Sequence, residues 1–401
     1  MIRFVLFLIC ALFVWTAWAE PPVSLSSAIE LALENDIRLL SGRADLSIAQ
    51  LRQESAAVWR DPELRLEPSV DADEDYIDSA IRFYLPHPWR VHADGLERAS
   101  QTAASTAQMQ MGRIQVATEI FQLYREFQCL EKELALVTRL IEIKQQRADV
   151  ICQQVDAAMK TSTDALLFRW ELRDAQREAR TLRCDMDRIQ GQLAERIARP
   201  VESLRLEPLP EVEPAVLIDS ETVDQLALEL RPDLQLLHAQ LQQAQSRVQQ
   251  ADAERIPWFS YVQAGYADSA EEWRIQAAVS LPIFSLSGSK KRQALAEQAL
   301  RRVSVDASQD AIALQVRQAA FNLNNAIEEW QMHRQEMDAL AAEAQQEIEM
   351  LQEYAAGAPD EWMKLQERIV QADRRLLDVR RDVNAARADY LLGTGQILIQ
   401  D

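Results

Sequence analysis

Between Arg255 and Phe284 the chain reads RIPWFSYVQAGYADSAEEWRIQAAVSLPIF, and no other stretch restricts the fold as much. It interrupts two long helical patterns. After Pro257 the side-chain period changes from helical to two. In the second run Trp273, Ile275, Ala277, Val279 and Leu281 share one side, while Arg274, Gln276, Ala278 and Ser280 share the other. The runs flank the polar turn Asp268-Ser269-Ala270-Glu271, and each has the roughly 9–11 residues of a membrane-crossing β-strand. A soluble two-stranded ribbon on a helical protein would alternate in the same way.

What separates the two readings is a second copy. Asp61 to Pro88 reads DPELRLEPSVDADEDYIDSAIRFYLPHP. Pro257 lies 195 residues after Pro62, and Leu281-Pro282 lies 196 after Leu85-Pro86. Here Leu64, Leu66 and Val70 alternate with Glu63, Arg65 and Glu67. On the return, Ile77, Ile81, Phe83 and Leu85 oppose Asp78, Arg82 and Tyr84. A period this long marks a duplicated domain half rather than a solenoid unit. The expected organisation is a first repeat over 20–200 with a hairpin at 61–88, a Pro-rich linker over 201–221, a second repeat over 222–395 with a hairpin at 257–284, and a tail at 396–401.

The rest of the chain reads as long helices. Only 9 Gly in 401 residues leave few turns, and Ala, Leu, Gln, Glu and Arg are abundant. A first helix is expected from Leu25, capped by Ser24, through Leu31, Ile37, Leu40, Ala44, Leu51 and Val58 to Arg60. Its counterpart begins near Thr222 and carries Leu234, Leu237, Leu241, Ala244, Val248 and Ala251, a coiled-coil spacing. Each hairpin is followed by a longer helix. The first holds Ile120, Leu123, Phe127, Leu130, Leu134, Val137 and Ile141. The second holds Val316, Ala320, Leu323, Ile327, Trp330, Met337, Ala341, Ala344, Ile348 and Leu351. A helix from Lys290 to Tyr354 would be about 100 Å long, longer than any globular core is wide. Each turns back at a short polar break. The first return runs from about Thr163 to Ala198. The second carries Leu365, Ile369, Ala372, Leu376, Val379, Val383, Ala386 and Tyr390 and stops at Gly393.

The N-terminus has the form of a secretory signal. Arg3 supplies the charge, Phe4 to Val14 the apolar run, and Ala17-Trp18-Ala19 the cleavage pattern. Cleavage after Ala19 takes the formal charge from −20 to −21. Cys10 follows Ile9 in the middle of the run, so lipidation there is not expected. No other run is long and apolar enough for a membrane helix. The acidic balance excludes nucleic acid as a partner. Cys129, Cys152 and Cys184 match no zinc or CxxC pattern and are expected to stay unpaired.

With these residues in place, the chain resembles the TolC-type outer-membrane efflux channel family. The resemblance rests on Leu226-Ala227-Leu228 with Arg231-Pro232-Asp233-Leu234, on Pro257, on Leu281-Pro282-Ile283-Phe284, on Tyr354-Ala355-Ala356-Gly357 and on Leu391-Leu392-Gly393. The first half matches more loosely through Asn35, Pro62, Leu85-Pro86 and a turn with Val155, Ala158, Thr161, Asp164 and Leu166. Ala158 stands where the family usually has Gly. The resemblance implies a mostly α fold with a small β part. Long antiparallel coiled-coil helices would form an α-barrel in the periplasm, and two β-hairpins per protomer would join a 12-stranded β-barrel shared by a homotrimer. It also implies an outer-membrane location, with outer-membrane lipid, a periplasmic adaptor and an inner-membrane pump as partners.

The adaptor contact and periplasmic gate would then lie at the helical turns: Ala158, Thr161, Ser162, Tyr354, Gly357 and Pro359. In the family, acids near this end can ring the constriction. Met363 stands where an acid is often found, which leaves Asp360 and Glu361 as the nearest substitutes. Trp59, Trp89, Trp258, Tyr261, Trp273 and Phe284 are candidates for aromatic girdles at the membrane interfaces. Asp61-Pro62-Glu63-Leu64 and the compact first hairpin look closer to the heavy-metal cation branch than to the drug branch. Against a metal path, no Met, His or Cys cluster is present.

Other patterns lead nowhere. Asp71-Ala72-Asp73-Glu74-Asp75 begins like a calcium loop but has Tyr76 and Arg82 where Gly and Glu belong. Gly393-Thr394-Gly395 lacks the strand and third Gly of a nucleotide fingerprint. His87, His92, His238 and His333 form no ligand pattern. No catalytic constellation and no cofactor motif is present, so the expected function is a passive exit duct, not an enzyme. A protein-secretion duct of the same fold and a periplasmic coiled-coil scaffold remain open alternatives.

Overall fold

The computed structural model describes residues 22–54, 60–70, 75–208, 231–267, 272–283, 288–354 and 359–395. The proposed signal, Trp59, Phe284, Gly357, both hairpin turns and the expected helix start near Thr222 lie outside the described residues. In chain order the elements are α1 (Leu25–Asn35), α2 (Ile37–Glu54), β1 (Glu63–Val70), β2 (Asp75–Phe83), α3 (Pro88–Asp156), α4 (Ser162–Arg196), α5 (Pro232–Ala253), β3 (Trp258–Ala267), β4 (Glu272–Ser280), α6 (Ser289–Tyr354) and α7 (Pro359–Thr394). The chain forms two compact units. One comprises 1–39, 113–230 and 314–401; the other comprises 40–112 and 231–313. Each unit draws on both halves of the sequence.

The first unit is a helical body. Ile29, Val116, Ile120, Phe121, Val137, Leu193 and Ile197 form its largest core, drawn from α1, α3 and α4 and the residue after it. The heptads expected on α3 and α6 are buried in part: Ile120, Leu130 and Val137 are buried, as are Val316, Ala320, Leu323, Ile327 and Ile348, while Leu123, Phe127, Leu134, Ile141, Trp330, Met337, Ala341 and Ala344 are half-buried. On α7 the deepest line is Met363, Val370, Leu377 and Leu391. The expected α7 seam is half-buried apart from Val383. The two lines have different partners: Met363 and Val370 pack on Leu140 and Ile143 of α3, while Val383, Ala386 and Tyr390 pack on Leu323 and Ile327 of α6. Met363 packs with Leu140, Ile143, Trp362 and Val370, so it is a core residue.

Three expected boundaries are corrected. The first helix does not run unbroken from Leu25 to Arg60. Asp36 ends α1, its N–H donating to Ala32 O at 2.9 Å. Its carboxylate then accepts from Arg38 N at 2.8 Å and starts α2. The last helix does not stop at Gly393, which packs as a helical residue near Val316 and Ala319. The left-handed residue is Gly395, φ 73°. The region after Pro200 is not a loose linker at its start. A 3₁₀ turn at Val201–Ser203 leads to Leu206, which pairs with Val23 in a parallel bridge. The Tyr124 hydroxyl holds this clasp, 2.8 Å from Val23 O and 2.6 Å from Glu207 O.

The second unit carries the β-structure. Its four strands form one antiparallel sheet in the order β1-β2-β3-β4. The two hairpins are joined by β2 and β3, with Arg82 opposite Gln263 and Ala80 opposite Gly265. The four expected runs are therefore strands, and they form one sheet within a single chain.

Candidate functional site

The sheet has two chemically opposite faces. The registers place Leu64, Ile81, Ala264 and Ile275 in one row across all four strands, and Leu66, Ser79, Tyr266 and Trp273 in the next. The rows behind them are Glu63, Arg82, Gln263 and Gln276, and Arg65, Ala80, Gly265 and Arg274. A bulge between Phe259 and Tyr261 keeps Phe259 and Val262 on the apolar side. That side is open: Trp273 is 78% exposed and Ile275 80%. Leu64, Leu66, Ile77, Phe83 and Val279 are exposed with them. Among the described residues no helix covers this face, and these apolar side chains are not part of the core. Behind it, Arg82 donates to Gln263 Oε1 at 3.0 and 2.8 Å. The same guanidinium sits 3.9 Å over the Tyr261 ring.

The close approach of β2 and β3 depends on Gly265. A Cβ there would lie 2.6 Å from Ser79 O and 2.7 Å from Ala80 Cβ. Only glycine fits.

The expected girdle residues are divided by the structure. Trp273 stands on the apolar face and meets Tyr266 edge-on at 5.7 Å. Tyr261 lies on the polar face. Trp89 and Trp258 form a cluster with His87 where the sheet joins α3, with ring centroids 5.4 to 5.9 Å apart.

The turn between α3 and α4 is built by local chemistry. Met159 N donates to Gln154 O at 2.8 Å and Ala158 N to Val155 O at 2.9 Å, a Schellman closure. It puts Ala158 at φ 55°, the left-handed region. Thr161 then caps α4: its hydroxyl accepts from Asp164 N at 3.3 Å, and Asp164 Oδ2 accepts from Thr161 N at 3.1 Å. The Thr161 hydroxyl also donates to Asp164 Oδ2 at 2.7 Å, and that bond, with the one from Thr161 N, holds the Asp164 carboxyl below the usual carboxylate range. Ser162 opens α4. Tyr354 ends α6, Pro359 and Asp360 open α7, and Glu361 is exposed one residue on. Four residues by the first turn were not picked out from the sequence as exposed: Met159 (78%), Leu166, Leu167 and Trp170. The readable signal was Leu-Leu-x-x-Trp on a helix start whose buried line begins only at Leu172.

Away from the sheet and turn, charges knit the helical unit. Arg38 bridges Asp36 and Glu119, each at 2.9 Å, and Arg196 reaches the same two acids at 3.4 and 3.2 Å. The Arg38 hydrogen bond holds the Asp36 carboxyl below the usual range. Arg374 pairs with Glu133 at 3.1 Å and with Glu178, and Arg381 with Glu133 at 2.7 Å. Arg147 and Glu367 form a buried pair at 3.3 Å, with Phe168 stacked at 4.4 Å. Among the described residues no group of side chains could hold a metal ion. Cys129, Cys152 and Cys184 are free thiols, as expected, and burial pushes the Cys129 thiol up.

No protein-family model matches the sequence, and no curated protein sequence is similar to it. Solved structures do match. The outer membrane protein VceC from Vibrio cholerae is 17% identical with a TM-score of 0.72, over 92% of this chain and 96% of that one. CusC, studied for folding and transmembrane channel formation, is 14% identical with a TM-score of 0.72, over 93% and 92%. The MtrE outer membrane channel of Neisseria gonorrhoeae is 16% identical with a TM-score of 0.70, over 93% and 89%. The chain shares the fold of these outer-membrane channels. No described helix of this chain is long and apolar enough to cross a membrane.

Proposed function

We propose that this protein is the outer-membrane channel of a tripartite efflux system, a passive exit duct for small molecules or metal cations. The single observation that carries this reading is the four-stranded sheet, apolar and exposed on one face and charged on the other. In water such a face is a liability; in lipid it is required. The sheet also has open edges at β1 and β4. Lipid cannot satisfy bare strand edges, so the strands must close into a barrel. Three copies supply twelve strands, and cyclic symmetry closes them. The polar rows with Arg65, Arg82, Gln263 and Arg274 then line the pore.

Uncovered helical seams support the same assembly. Ile37, Leu40 and Leu51 on α2 and Leu314, Phe321 and Met332 on α6 are exposed in one chain. Sister subunits would cover them. The exposed Met159, Leu166, Leu167 and Trp170 by the α3–α4 turn fit the docking of a periplasmic adaptor, with an inner-membrane pump as the energy source. The two halves of the chain would descend from a duplication of a helix–hairpin–helix unit.

The test is expression of the full chain in a Gram-negative host. The expected result is recovery in the outer-membrane fraction, release only by detergent, and a three-chain species that conducts ions in planar bilayers. Recovery as a detergent-independent periplasmic protein would overturn the channel reading. Comparison of metal-salt and drug tolerance in cells lacking the protein would then assign the cargo.

A further inference from the structure

Arg125 is a charge set among the apolar residues of α3, between Tyr124 and Phe127. It is 9% exposed. Its guanidinium lies 5.6 Å from the Phe121 ring, and its buried Nε has no hydrogen-bond partner. The nearby acids are engaged elsewhere: Glu119 with Arg38 and Arg196, and Glu126 with Arg381. Burial, together with the charges of Arg387 and Arg380, pushes its pKa down to about 10, so it is still charged at neutral pH. Arg387 is also desolvated, which lowers its own pKa. A buried cation with other cations near it and no counter-charge is a costly arrangement unless something outside the chain supplies the anion.

There is room for one. Arg125 opens onto a cavity of about 670 Å³ bounded by α3, α4 and α7. Arg381 lines the same cavity: its Nη atoms hold Glu133 and Asp378, and its Nε, 3.7 Å from Glu126, makes no hydrogen bond. Asn384 and Gln192 add amide donors. We propose that this cavity is an oxyanion site, taking a small molecule with a carboxylate or phosphate group on the guanidinium groups of Arg125 and Arg381. A planar guanidinium presents paired N–H donors that match two oxygens of such a group. Glu119, Glu126 and Glu195 also line the cavity. They hold the occupant to a compact anion whose charge is concentrated at one end. The site is built within one chain and stands whether or not the channel reading does.

The test uses the full chain purified in mild detergent, with thermal unfolding followed as inorganic phosphate is added against sodium chloride of equal ionic strength at pH 7. The expected result is a saturable rise in midpoint of about 2–4 °C, absent in Arg125→Met. Without added anion, Arg125→Met is expected to unfold no earlier than the parent, because an uncompensated charge has gone. Equilibrium dialysis of radiolabelled phosphate on the unaltered protein gives a readout that needs no variant, with one ion per chain expected. No saturable rise and no bound phosphate would overturn the site, as would an equal rise in Arg125→Met. Earlier unfolding of Arg125→Met in chloride alone would also overturn it, since Arg125 would then already have a carboxylate partner in the assembled protein.

Discussion

Asp36 shows how one side chain shapes a helical body. It closes α1, caps α2 and anchors two arginines, with its carboxylate 3% exposed. Its replacement by Ala should cost about 2 kcal/mol, since a cap is lost and the half-exposed arginines are screened. The carboxyl pKa is lowered by folding, so its stabilisation is complete above the unfolded value of about 3.9 and disappears as pH falls through the lower folded value. Denaturant titrations of the parent and Asp36→Asn should therefore differ at pH 6 and converge only as pH falls from about 4 through the lowered folded value. Backbone strain offers a second check. Ala158 and Ala198 both adopt the left-handed region, φ 55° and 54°. Replacement of either by Gly should stabilise by about 1 kcal/mol, read as a higher denaturation midpoint. Ser24 and the Thr161 turn were legible in the sequence because a cap is a contact between residues close in the chain. Asp36 was not, because an acid within a helical pattern reads equally well as a surface residue. The burial of Met363 was not legible either: it is set by Leu140 and Ile143, more than two hundred residues earlier.

At the level of elements, the strands were the most readable part of the chain. Alternation over eight to ten residues, bounded by Pro and by acidic turns, leaves little else for them to be. What the alternation did not contain was the pairing of β2 with β3, since no local signal links residues 181 apart such as Arg82 and Gln263. Gly265 makes that pairing possible. Gly265→Val should separate the two hairpins, and the expected readout is loss of recovery in the outer-membrane fraction and of the proposed three-chain species. The two faces can be tested against each other. Ile275→Arg places a charge on the apolar face and should destabilise by about 2–4 kcal/mol in lipid. The neighbouring Gln276→Arg should be tolerated and instead shift ion selectivity in bilayer recordings. Equal effects of the two substitutions would contradict the assignment of the faces. The helices were legible in kind and extent from their heptads. Their ends were less so, as Gly393 shows: it lies inside the helix beside Ala319 and Val316, and the left-handed residue is Gly395.

For the whole molecule, the telling feature is apolar surface that one chain does not use. Phe321 and Leu314 on α6 lie opposite a line that is fully buried. Phe321→Glu should leave the helical content of the subunit unchanged while shifting mass in detergent from three chains toward one, measured by light scattering. Composition and periodicity alone established long paired helices, two amphipathic hairpins and the absence of enzyme motifs, because these follow from which side chains must avoid water and from repeating spacings along the chain. The single shared sheet, the uncovered apolar face, the break at Asp36 and the isolated charge of Arg125 came only from the folded chain. Each depends on whether a distant segment supplies a partner, and spacing along a sequence carries no record of which distant groups meet.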